Sequence, residues 1–202
     1  MTTSGLDFLS DRYFSVAQFY WKQDDLLLFT GAQFFNDIGN YPDRKATYTQ
    51  DYFIFQSGIA YKPFKNQNIK FMVDYNLNLL DYGSNDSIAI SMQDQKTSFV
   101  AAIQYGQLKK NDFLFLVTYA HMQKYGAIDI LAQNDWTRWS YGNVGSPAGR
   151  LTNYHGIELK VGYMVSDKIK LSSRFFMVEV LVKQGPSHEN GTRIRFDIDI
   201  KL

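Results

Sequence analysis

The sequence of 202 residues contains no cysteine and only four prolines. Without cysteine the protein cannot form disulfides, zinc–thiolate sites or a thiol nucleophile. The formal net charge is +1, which argues against nucleic acid as a partner because such proteins normally carry a basic stripe. No run of about 18 apolar residues is present, so the sequence predicts no transmembrane helix.

A signal peptide is also missing from the sequence. The first residues, MTTSGLDFLSDRYF, have neither a basic segment nor an apolar core. Taken alone, this absence favours a cytoplasmic protein. It is equally consistent with a mature or truncated segment of a secreted protein, and the strand count given below makes us favour truncation.

Aromatic residues are abundant, with 14 Tyr and 16 Phe, and this favours strands over helices. The clearest pattern lies in 192–202, where apolar residues such as Ile194 and Phe196 alternate with charged residues such as Arg195 and Asp197. Because successive side chains of a strand point to opposite faces, this segment has one apolar and one ionic face.

The same period-two pattern predicts nine strands along the chain. They cover residues 12–22, 26–36, 52–61, 69–80, 97–107, 113–122, 154–165, 169–178 and 192–202. Two of them, 26–36 and 113–122, are partly apolar on both faces and could face a plug, a partner or packed lumen side chains.

The connections between these strands alternate between short polar turns and longer stretches. The short ones are 22–25, 62–68, 108–112 and 166–168, and the long ones are 37–48, 81–96, 123–153 and 181–191. This alternation is typical of an up-and-down membrane barrel, which has tight turns on one side and long loops on the other.

We therefore predict an all-β fold, an antiparallel up-and-down transmembrane β-barrel that forms a single domain over 1–202. Strands of roughly 9–11 residues match a tilted span of the hydrocarbon layer, and aromatic residues near strand ends would form interfacial girdles. The girdle candidates are Tyr20, Trp21, Tyr61, Tyr105, Tyr119, Tyr154 and Tyr163.

The strand number is odd, whereas bacterial single-chain barrels have even numbers. Residues 5–10 could be the stub of a tenth strand. The simpler expectation is that strands are missing upstream and that the chain is the C-terminal part of a larger barrel.

Four stretches near the end of the chain carry a family resemblance. They are NDW at 134–136, TNYHGIELKVGY at 152–163, KIKLSSRFF at 168–176 and GTRIRFDIDIKL at 191–202. Over this last third, the sequence resembles a family of bacterial outer-membrane β-barrels that are classed as porins. The resemblance implies an outer-membrane channel for small hydrophilic solutes. The chain departs from the family at Leu202, because such barrels usually end in Phe or Trp, which helps the assembly machinery to recognise them.

Charged and polar side chains on one face of the strands would line a hydrated lumen. This lumen would carry charges of both signs and admit polar solutes. The candidates are Lys70, Asp74, Asn76, Glu158, Lys160, Lys170, Arg174, Arg193, Arg195, Asp197 and Asp199. Alternatively, these residues form the solvated outer face of a soluble β-sandwich or lipocalin-like barrel. Long strands and uniformly short turns on one side favour the membrane.

Three of these candidates, Arg174, Arg193 and Arg195, could form a basic ladder that attracts anions. We favour the alternative of an ion-paired wall, because paired charges also stabilise neighbouring strands. The acidic partners would be Glu158, Asp197 and Asp199.

The long stretch 123–153 contains Asp135, Trp136, Arg138 and Trp139. It could fold inward as a constriction, present its aromatic residues to a sugar-like ligand, or form a solvent-exposed cap. The sequence leaves these alternatives open.

No residue pattern points to catalysis or to a metal. His121, His155 and His188 are far apart and have no metal-binding spacing. Ser172 or Ser173 could approach His155 across a strand pair, but no motif specifies such a pair. We therefore predict no enzyme activity, no metal and no cofactor.

The function that we predict is a porin-like channel for passive diffusion in the bacterial outer membrane. The expected partners are the outer-membrane bilayer, small hydrophilic solutes and further copies of the chain, but not nucleic acid. One alternative is a non-channel outer-membrane barrel that acts as an adhesin, an anchor or a structural protein. A soluble ligand-binding β-barrel is the other.

Overall fold

The computed structural model describes residues 14–39, 49–86, 88–128, 134–136, 151–183 and 190–201. They form one nine-stranded antiparallel sheet in which each strand pairs with its neighbours in the sequence. The strands are β1 (Phe14–Gln23), β2 (Leu26–Gly39), β3 (Thr49–Tyr61), β4 (Ile69–Asn78), β5 (Thr97–Gly106), β6 (Phe113–Met122), β7 (Tyr154–Met164), β8 (Ile169–Val180) and β9 (Gly191–Ile200).

The all-β, antiparallel, up-and-down part of the prediction is confirmed, and all nine predicted strands are present. Among the described residues the sheet is open, because β1 pairs only with β2 and β9 pairs only with β8. The predicted tenth strand at 5–10, the loop residues Arg138 and Trp139, and the final Leu202 lie outside the described residues.

Among the described residues, two helical segments interrupt the long connections, and the sequence pattern did not predict them. They are α1 (Ile90–Gln93), between β4 and β5, and a single 3₁₀ turn at Asn134–Trp136, between β6 and β7. Within the ranges given above, no helix has the length and apolar character needed to span a bilayer.

The strand register carries the period-two pattern across the sheet, so that its two faces differ in character. On one face large apolar side chains are exposed; Ile103, Val117, Leu159 and Ile194, for example, are 42–60 % exposed. We call this the apolar face. The opposite face carries most of the charged strand residues and borders a cavity, and we call it the cavity face.

The short connections use residues that tolerate a left-handed backbone. Asp24, after β1, has a φ of 48°, and Asn111, before β6, has a φ of 61°; Asp and Asn adopt this region more readily than other residues with a side chain. Gly106, at the end of β5, has a φ of 79°, and a Cβ there would lie 2.1 Å from the carbonyl oxygen of Phe113. These features place tight turns where the sequence predicts them.

The described parts of the β4–β5 and β6–β7 connections fold back over the cavity face. In the β4–β5 connection, Tyr82, Ile88 and Met92 are at most 5 % exposed and form an apolar cluster with Phe35 of β2 and Tyr125 of the β6–β7 connection. A second cluster joins Trp136 to residues of β6, β7 and β8. We call residues 79–86, 88–96, 123–128 and 134–136 the loop cap.

Buried amides join the long connections to one another. The fully buried Asn78 donates through Nδ2 to the Tyr82 hydroxyl at 2.7 Å and to the Tyr125 carbonyl at 3.0 Å. Asn153 donates to the Val182 carbonyl at 2.8 Å and accepts from the Val182 amide at 3.0 Å. Because the amides satisfy buried backbone groups, the described parts of these connections are held against one another.

Loop packing explains why two strands are apolar on both faces. Phe35 of β2 belongs to the first apolar cluster, and Ala120 of β6 belongs to the second, with Met122 packed against it. Tyr154 was wrongly predicted as a girdle residue: it is 3 % exposed, lies opposite Met122 and Val180 on the cavity face, and stacks on Trp136.

Candidate functional site

The cavity face borders a cavity of about 480 Å³. Six strands supply most of its polar lining: Gln33 from β2, Gln56 from β3, Asp74 and Asn76 from β4, Thr118 from β6, Glu158 and Lys160 from β7, and Arg174 from β8. Ala127, Ile128 and Trp136 line it from the loop cap. Because strands as distant as β2 and β8 border one cavity, the sheet is strongly curved around it.

The described part of the β6–β7 loop is anchored beside this cavity by Asp135. Its carboxylate accepts a hydrogen bond from Arg195 Nη1 at 2.8 Å and is ion-paired with Arg174. Arg193 Nη1 lies 3.8 Å from Asp135 Oδ1 and donates to the Asp135 carbonyl at 3.4 Å. One loop carboxylate thus contacts guanidinium groups from both β8 and β9.

Further carboxylates balance these guanidinium groups. Arg174 Nε donates to Glu158 Oε1 at 2.5 Å, and Arg195 Nε donates to Asp197 Oδ1 at 2.7 Å. We call the whole set the arginine–carboxylate cluster; its members are Asp135, Glu158, Arg174, Arg193, Arg195 and Asp197. Its three guanidinium groups face three carboxylates, so that the cluster has no formal net charge.

The pKa of Asp135 reflects this environment. Burial acts to raise the pKa of the carboxyl group, but the charge of Arg174 and the hydrogen bonds from Arg174 and Arg195 act in the other direction. The net result is a pKa below the ordinary value of 3.8. Because charged hydrogen-bond partners favour the ionised form, Asp135 is a carboxylate at neutral pH.

Trp136, the next residue, gives the loop an apolar anchor. Its ring stacks on Tyr154 with a centroid distance of 5.7 Å and packs edge-on against Phe176 at 5.5 Å. Trp136 is 4 % exposed and Phe176 is fully buried. Residues 134–136 therefore pack against the cavity face.

All eleven residues predicted to line a lumen lie on the cavity face, as the strand register shows. Not all of them are brought together. Lys70 is outside the cavity lining, Lys170 pairs with Asp199 nearer the short turns, and the acidic partner of Arg174 on the strands is Glu158.

Sequence reasoning missed part of the cavity wall. Gln33, Gln56 and Thr118 line the cavity, but they belong to strands whose apolar residues obscure the alternation. Each is an uncharged polar residue on the inward side of a mostly apolar strand. Alternation along a strand shows which residues share a face, but it identifies them as inward residues only once it is known which face of that strand points inward.

Among the described residues, the histidines form no metal-binding group and no pair with Ser172 or Ser173. His121 and His155 lie opposite each other on the apolar face, and His155 Nε2 is 3.5 Å from the Glu179 carboxylate. Ser172 and Ser173 pair with Gly162 and Val161, toward the other end of β7, so neither approaches His155. Within the described ranges no group of His, Asp and Glu is arranged to hold a metal ion. His188 lies outside the described residues.

Comparison with known proteins gives no relative for this chain. No family model matches it, and neither a curated protein nor a solved structure does so.

Proposed function

We propose that the chain forms the wall of a porin-like channel in the bacterial outer membrane, through which small hydrophilic solutes diffuse passively. The observation that carries this proposal is the contrast between the two faces of the sheet. Large apolar side chains are exposed on one face of successive strands, and most of the charged strand residues lie on the other. Exposed apolar patches of this extent are rare on soluble monomers and indicate an apolar surrounding.

Aromatic residues at the exposed ends of the strands also support an apolar surrounding. Trp21, Tyr61, Tyr105 and Phe113 are 41–57 % exposed near the short turns of their strands. Aromatic residues are enriched at membrane–water interfaces, where they form girdles around barrels. The strands, of 10–14 residues, are also long enough for a tilted crossing of the hydrocarbon layer.

A membrane-embedded sheet requires partners for its edges. Among the described strands, the outer edges of β1 and β9 have no neighbour, and unpaired backbone groups in hydrocarbon cost several kcal/mol each. The proposal therefore requires that further strands pair with these edges and close the barrel, from this polypeptide or from another copy.

The charges on the cavity face suit uncharged solutes, or a mixture of anions and cations. Arg174 is paired with Glu158 and Asp135, and Lys170 is paired with Asp199. Because neighbouring charges of opposite sign cancel at a distance, we expect weak selectivity between anions and cations.

Conductance in planar bilayers tests the channel. Folded full-length protein should produce stepwise currents in KCl, with a reversal potential close to zero in a salt gradient. Heat-unfolded protein added at the same concentration is the control. Stable insertion without currents above those of the control would contradict the channel.

A second candidate is a plugged outer-membrane barrel that acts as an anchor or an adhesin. The observation in its favour is the loop cap, which packs two apolar clusters against the cavity face. Stable insertion without conductance is the result that this candidate predicts. The exposed apolar face argues against a soluble ligand-binding barrel, whose apolar side chains would point inward.

A further inference from the structure

We propose that the cavity under the loop cap binds a neutral solute that is rich in hydroxyl groups and has the size of a mono- or disaccharide. This inference rests on the proposed function, since it names the class of solute that the channel would take.

The size of the cavity fits such a solute. Its volume of about 480 Å³ lies within the range of about 300–1,000 Å³ that is typical of small-molecule sites. Apolar side chains such as Met72, Val100 and Ile128 separate the polar groups, and Trp136 borders the cavity from the loop cap. A sugar has the matching arrangement, with hydroxyl groups around an apolar ring face.

The charges that line the cavity do not favour an ionic solute. Arg174 already contacts two carboxylates, Glu158 and Asp135. The other lining charges, Asp74 and Lys160, stand on β4 and β7. Together with Glu158 and Arg174 they make two acidic and two basic lining groups, so that the lining has no formal net charge to attract an anion or a cation.

The remaining polar lining consists of neutral groups, which are the amides of Gln33, Gln56 and Asn76 and the hydroxyl of Thr118. Gln56 is 7 % exposed, and its Oε1 accepts from Gln33 Nε2 at 2.6 Å. Its Nε2 has no hydrogen-bond partner among the described residues. Exchanging N and O in both amides would instead leave the oxygen of Gln56 without a partner.

A hydroxyl group suits this site because it both donates and accepts a hydrogen bond. It would satisfy Gln56 in either orientation of the amide pair, and a neighbouring hydroxyl can donate to the carboxylate of Asp74. A buried polar atom without a partner is costly, so a solute that supplies the partner is favoured.

Calorimetric titration of detergent-folded protein with maltose tests this inference without requiring conductance. We expect saturable binding, weakened at least about tenfold in Gln56→Leu and in Thr118→Val, because each removes one hydrogen-bonding group from the cavity wall. Gln104→Leu is the matched control: Gln104 has the same strand parity but lies outside the cavity lining, and its replacement should leave binding unchanged.

Glucuronate, glucosamine and alanine serve as anionic, cationic and zwitterionic probes, and each should bind at least about fivefold more weakly than maltose. The inference is overturned if maltose shows no saturable binding, if a charged probe binds more tightly, or if Gln104→Leu weakens binding as much as Gln56→Leu. Currents without maltose binding would contradict the proposed binding site but not the proposed channel. Maltose binding without currents would contradict the proposed channel but not the proposed binding site.

Discussion

Arg195 Nη1 donates a hydrogen bond of 2.8 Å to Asp135 Oδ1, although the two residues are 60 positions apart in the sequence. The contact joins a long loop to the last strand of the sheet. Arg174 of β8 contacts the other oxygen of the same carboxylate. Asp135 therefore attaches the described part of the β6–β7 loop to β8 and β9.

Asp135→Asn should loosen this attachment. The substitution keeps the shape of the side chain but leaves Arg174 with only one carboxylate, and breaking such a pair costs about 2–3 kcal/mol where its partners are partly exposed. Urea unfolding in detergent measures the loss, and limited proteolysis of the β6–β7 loop should become faster.

Asp197→Asn is the matched control, because Asp197 also pairs with Arg195 but belongs to β9 itself. It should leave the proteolysis of the loop unchanged. If both variants are cleaved equally fast, Asp135 is not the attachment point.

The attachment should depend on pH in a defined range. The pKa of Asp135 in the folded protein lies below its ordinary value of 3.8, so the carboxylate stabilises the fold at and above that pH. This contribution is lost as the pH falls through the lower, folded-state pKa. The difference in unfolding free energy between wild type and Asp135→Asn should stay constant from pH 7 to 5 and shrink below pH 3.8; a difference that shrinks between pH 7 and 5 would contradict this account.

Trp136→Ala should destabilise the loop cap through lost packing. The indole is 4 % exposed between Tyr154 and Phe176, and truncating a buried Trp costs about 3–5 kcal/mol. Trp136→Phe, which retains an aromatic ring, should cost less. Equilibrium unfolding of the three proteins in detergent checks the order, and equal stability of wild type and Trp136→Ala would refute it.

The loss of stability caused by a charge on the apolar face should depend on the depth of that charge in the bilayer. Leu159 is at the centre of β7 and Tyr105 is near the end of β5. In lipid vesicles, Leu159→Arg should destabilise the protein by about 2–4 kcal/mol and Tyr105→Arg by about 0–1 kcal/mol, because the cost of an arginine falls from the midplane to the interface. Equal costs would argue against a bilayer around this face.

The strands could be predicted from the sequence because their information is local. Alternation within ten residues identifies a strand, and the short turns are set by residues such as Asp24 and Asn111 with left-handed backbones. The alternation along each strand then places Glu158, Arg174 and Arg195 on one face before any contact between them is known.

The loop cap could not be predicted in the same way. Asp135 is 39 residues from Arg174 in the sequence, and no local pattern tells a loop whether to pack on the sheet. His155 shows a related limit: the sequence allows Ser172 or Ser173 as its partner, but the register puts its side chain on the apolar face, opposite His121. Which face a terminal residue occupies depends on where the strand begins.

Spin labelling of adjacent residues tests the central claim, that the apolar face contacts lipid, most directly. The chain has no cysteine, so Leu116→Cys and Val117→Cys each give a single labelled site, on the cavity face and on the apolar face of β6. In vesicles, the label at 117 should collide with membrane-dissolved oxygen and be protected from a water-soluble nickel chelate, and the label at 116 should not show this lipid signature. Access of the nickel chelate to the label at 117 as free as in a water-exposed loop would contradict the account.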